Sequence, residues 1–83
     1  MVGINDLKRY DCENIEDYFD LIVESAVNGQ FKQVKMQISD MSLGQKGMLL
    51  EWCMNYVYFI TDKEDSMRKH YEYVHRLTIE TLK

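Results

Sequence analysis

No proline occurs anywhere in the 83 residues, and glycine stands only at positions 3, 29, 44 and 47. Proline removes a backbone donor and clashes with the preceding turn, and glycine weakens a helix by about 1 kcal/mol relative to alanine. A chain with so few breaks is open to long runs of helix, and the spacing of its apolar residues decides where they fall. Residues 15–28 show that spacing most clearly. Ile15, Tyr18, Phe19, Ile22 and Ala26 recur at intervals of three and four and build one face. Asn14 is a good N-cap, Asp17 stands at the capping-box distance, and Glu16, Asp17 and Asp20 lie where the helix dipole favours negative charge. Gly29 follows Asn28 as a left-handed stop.

Residues 30–41 carry two patterns. Phe31, Val34, Ile38 and Met41 fit the helical period, whereas the stretch from Val34 to Ser39 also alternates and Asn28-Gly29 is a hairpin-turn dipeptide. Phe31 and Val34 have opposite parity and no partner strand precedes the turn, so helix is the favoured reading. A third helix is expected over 43–60, with Ser42 and Gln45 at capping-box spacing. Its main apolar face is Met48, Leu49, Trp52, Cys53, Tyr56, Phe59 and Ile60. Leu50, Met54, Val57 and Tyr58 form a second, back face. A fourth helix is expected over 63–82 after Asp62, burying Met67, Tyr71, Val74 and Leu77. Residues 1–13 read as a short N-terminal arm with at most one helical turn, capped by Asn5. The expectation is a single all-α domain over 1–83, a small bundle of three to four helices.

Composition narrows the function classes. Apolar residues make up 46% of the chain, ordinary for a globular domain and too high for a disordered one. The formal net charge is −4, the wrong sign for a generic nucleic-acid binder. No stretch reaches the ~18–20 apolar residues of a membrane span. The ends show no signal-peptide, myristoylation or prenylation pattern, so the expected location is cytoplasmic. Cys12 and Cys53 are read as free thiols.

Catalytic and metal chemistry find little to work with. His70 and His75 are five apart and point about 140° away from each other on a helix, so they cannot form one arm of a zinc site. Cys12 sits between Asp11 and Glu13, which dulls its thiol, and Cys53 falls on an apolar face. No glycine-rich phosphate cradle or calcium loop is present. The chain is expected to be non-enzymatic, without cofactor or metal.

Two features exceed what a small core demands. From Asp11 to Glu24 there are six acids and no base. Glu13, Glu16, Asp17, Asp20 and Glu24 fall within roughly 100° of one another, along about 16 Å of helix axis. That is one charge every ~4 Å, near the ~3.4 Å phosphate spacing of one DNA strand. The other feature is the Leu50, Met54, Val57 and Tyr58 face, since exposed apolar patches usually mark interfaces. Together they suggest a protein-binding regulator, adaptor or inhibitor. Its partner would have a basic surface and could be one that normally holds nucleic acid; a homodimer is another version. The competing reading is a helix-turn-helix regulator in which Lys32, Gln33, Lys35 and Gln37 of the second helix contact DNA.

Overall fold

The computed structural model describes residues 1–56 and 65–82. Among these residues there are five α-helices and no strand: α1 (Ile4–Arg9), α2 (Ile15–Val27), α3 (Phe31–Ser39), α4 (Leu43–Met54) and α5 (Asp65–Thr81). The all-α expectation stands, while the count of three to four helices is one too few. The extra helix is α1, two turns formed inside what reads as an arm. Gly3, not Asn5, precedes its first turn, and the Asp6 carboxylate reaches back to accept the Gly3 N–H at 2.9 Å.

Local chemistry sets most boundaries. The Asn14 Oδ1 accepts the Asp17 N–H at 3.0 Å and opens α2. Asp17 in turn accepts the Glu13 N–H at 2.9 Å, so its side chain serves the helix terminus. At the other end, Gly29 has φ of +75°. Its N–H reaches the Ala26 carbonyl, and the Gln30 N–H reaches that of Ser25, the paired bonds of a Schellman stop. The same device closes α1. The Asp11 N–H donates to the Lys8 carbonyl and the Cys12 N–H to that of Leu7, with Asp11 at φ 60° in the position glycine usually takes. Gly29 is thus a helix stop rather than a hairpin turn, and α3 follows as helix.

Ser42 and Gln45 form the expected capping box. The Ser42 Oγ accepts the Gln45 N–H at 3.2 Å, and the Gln45 Oε1 accepts the Ser42 N–H at 3.0 Å. Gln45 does more than cap: its Oε1 also accepts the Val2 N–H at 3.1 Å, and its Nε2 donates to the Val2 carbonyl at 2.7 Å. Val2 is buried, so the N-terminal segment is fastened to the start of α4.

The α5 helix packs against α2, α3 and α4, and α2 also packs on α3. Tyr18, Phe19, Ile22, Val23 and Ala26 of α2 meet Val34 and Ile38 of α3, Leu49 and Cys53 of α4, and Tyr71, Val74 and Leu77 of α5. Ser25 and Thr78 join this core because each donates its hydroxyl to a carbonyl four residues back, Leu21 at 3.0 Å and Val74 at 2.7 Å. That satisfies a polar group that would otherwise be costly to bury. Met48, expected on the main face of α4, is instead 49% exposed, because it lies well round the helix from fully buried Leu49 and Cys53.

Candidate interaction surface

The α2 helix turns its apolar stripe inward and its acids outward. Glu16, Asp20 and Glu24 are exposed, and Asp17 is half-buried through its capping role; Glu13, expected on the same helix face, is exposed but precedes the extended Asn14 N-cap and so stands before the helix. One edge of this row lies beside α4. There Glu16 and Phe19 of α2 face Met48, Glu51 and Trp52 of α4 and its C-cap Asn55 across a cleft of about 240 Å³. The three α4 residues are spaced i, i+3 and i+4, which places them on one side of the helix. At Asn55 and Tyr56 the winding loosens to the wider π form.

Behind the cleft stands an aromatic wall. Trp52 lies 5.5 Å from Phe19, 4.8 Å from Tyr56 and 5.6 Å from Tyr71, all at tilted or edge-on angles that suit aromatic quadrupoles. Tyr56 and Tyr71 stack at 4.6 Å with their planes 10° apart. Burial raises the Tyr56 hydroxyl above its ordinary pKa, and the charges of Asp20 and Glu16 raise it further. The Tyr71 hydroxyl is raised by burial, then by Tyr56, Asp20 and Cys53. The negative field of the α2 row therefore reaches the aromatic wall.

The back face of α4 is only partly open. Leu50 is half-buried and Met54 is 40% exposed, while Val57 and Tyr58 lie outside the described residues. A separate apolar area joins Phe31, 51% exposed, edge-on to Tyr73 of α5 at 5.2 Å.

The residues considered for DNA reading are not brought together. Lys32 and Lys35 are exposed and Gln33 is half-buried, but Gln37 is 2% exposed and cannot meet a base edge in this fold. Its position explains the correction. Gln37 follows Val34 by three and precedes Ile38 by one, both fully buried, so it belongs to the core stripe rather than the polar face. The Gln37 carbonyl accepts the Tyr18 hydroxyl at 3.2 Å, yet among the described residues neither its side-chain Nε2 nor its Oε1 has a hydrogen-bond partner.

A second cavity of about 280 Å³ is lined by Met1, Val2, Asp6, Arg9, Tyr10, Tyr18 and Asp40. Its guanidinium and two carboxylates offset one another in large part, unlike the α2–α4 cleft, whose two charged lining residues are both acids. Thiol chemistry is disfavoured throughout. Burial, then Asp17 and Asp11, raises the Cys12 pKa, and burial alone pushes Cys53 up to about 12. Both thiols are therefore protonated at neutral pH, which removes their nucleophilic form. Among the described residues, no cluster of three or more His, Cys, Asp or Glu is placed to hold a metal. No helix among them is long and apolar enough to cross a membrane.

The pairing of Glu51, Met48 and Trp52 with Glu16 was not read from the sequence. The i, i+3, i+4 stripe on α4 was available, but its mixed polar and apolar character hides it from a search for purely apolar faces. Comparison of the chain with protein families, with curated proteins and with solved structures returns no match.

Proposed function

We propose that this protein is a non-catalytic binding module, a regulator, adaptor or inhibitor that docks on a partner with a basic surface. The observation that carries this reading is the exposed acidic row of Glu16, Asp20 and Glu24 along α2, with Glu13 just before its N-cap and Glu51 of α4 across the cleft. Such a row raises the local concentration of a cationic partner and steers its approach. Glu16, Asp20 and Glu24 follow one another at intervals of four residues, about 6 Å of helix axis per charge, so the ~4 Å spacing expected from the sequence, and its match to a DNA strand, is not kept. Exposed Met54 and half-buried Leu50 offer apolar area on the back face of α4. The nucleic-acid-binding alternative loses Gln37 as a reader, which leaves Lys32, Gln33 and Lys35 in a domain of net charge −4.

The test is affinity capture from native extract with the wild-type protein and with a Glu13→Lys/Glu24→Lys variant. Asp17 is left intact because it caps α2. The row predicts a partner held by the wild type and lost by the variant, with helical content unchanged by circular dichroism. Equal capture by both proteins would remove the acidic row from the explanation.

A further inference from the structure

The geometry points to the cleft between α2 and α4 as a socket for one arginine side chain projecting from a basic segment of the partner protein. This deepens the reading of the acidic row and rests on it. Glu16 of α2 and Glu51 of α4 line it from two helices, together with half-buried Trp52, Met48 and Asn55. Among the described residues no cation lines this space. An arginine suits it for three reasons. Its planar guanidinium stacks on an aromatic face, and tryptophan is the strongest such partner. Its forked donors reach carboxylates on two sides at once, which a lysine ammonium, a compact point charge, does less well. Its methylenes lie against apolar atoms such as those of exposed Met48 while the charge stays near the acids.

Trp52 is the single tryptophan of the chain, so its fluorescence reports on the socket directly. The experiment titrates the full-length protein with a blocked, alanine-based helical peptide bearing arginine at every fourth position. Twin peptides carry lysine or citrulline instead. The socket predicts a saturable change in Trp52 emission with the arginine peptide, at an affinity at least about tenfold tighter than for either twin. Glu51→Gln, at an exposed position outside the α2 row, should weaken the arginine peptide about fivefold or more. Glu24→Gln, on the row but away from the cleft, should weaken it less than twofold.

Equal affinity for the arginine and lysine peptides with unchanged Trp52 emission would overturn the socket and leave a diffuse acidic docking surface. Insensitivity to Glu51→Gln would overturn it as well. The extract experiment judges the row separately, because neither Glu16 nor Glu51, the two acids of the cleft, is changed in that variant.

Discussion

Replacing Gln37 by methionine should stabilise the protein by about 1–3 kcal/mol, the usual cost of burying a side-chain amide without partners. The Gln37 side chain is buried between Val34 and Ile38, and its Nε2 and Oε1 both lack a hydrogen bond among the described residues. Methionine has the same unbranched length and a similar helix propensity, so packing and backbone terms largely cancel. The Gln37 carbonyl that holds the Tyr18 hydroxyl belongs to the backbone and survives the substitution. Urea unfolding followed by circular dichroism at 222 nm is the assay. For a small domain with an m-value near 1 kcal/mol/M, the midpoint should rise by about 1 M for each kcal/mol gained, with the slope unchanged. Gln33→Met, at a half-exposed site, is the control and should stay within about 0.5 kcal/mol of wild type. An unchanged or lowered midpoint for Gln37→Met would refute the reasoning, because the amide would then be contributing to stability.

The two Schellman stops make opposite predictions. Asp11→Gly should gain about 0.5–1 kcal/mol by relieving a left-handed backbone, and Gly29→Ala should lose about 1–2 kcal/mol, both read from thermal midpoints. The Gly29 loss would be conformational, since an added methyl meets no atom within 4 Å. Asn14→Ala should cost about 1 kcal/mol, or roughly 4–8 °C, by removing the α2 cap. Alkaline pH should destabilise the fold. Cys53 titrates from 9.0 when unfolded and at about 12 when folded, so between these values only the folded chain holds the proton, and stability falls by about 1.4 kcal/mol per pH unit. Tyr18, Tyr56 and Tyr71, all raised by burial above 10.0, steepen the fall beyond pH 10. Cys53→Ala should flatten the slope between pH 9 and 10 in urea titrations; an unchanged slope would mean the thiol is not the source.

Legibility in the sequence followed the range of the interactions. Asn14 with Asp17, Ser42 with Gln45, and Gly29 all act within a few residues, and their helix ends appear where the spacing places them. The ambiguity at 30–41 is resolved by Gly29 and by the complete burial of both Val34 and Ile38, four apart. The α1 helix was less legible because no side-chain cap precedes it and its stop uses Asp11 where glycine is the common signal. Gln37 and Thr78 sit at core spacing but are polar, so residue type and position pointed in opposite directions. The acids of α2 were legible as a row. Their juxtaposition with Glu51 and Trp52 was not, because it is created by packing one helix beside another.

The amide of Gln45 holds two distant parts of the chain with a single oxygen, taking the N–H of Val2 and the N–H of Ser42 together. Rotation of that one side chain would unlatch both donors in the same motion. The opening of the polypeptide and the first turn of α4 therefore form one cooperative unit. The Val2 and Ser42 amide protons should exchange with solvent at matched free energies although they stand 40 positions apart in the chain.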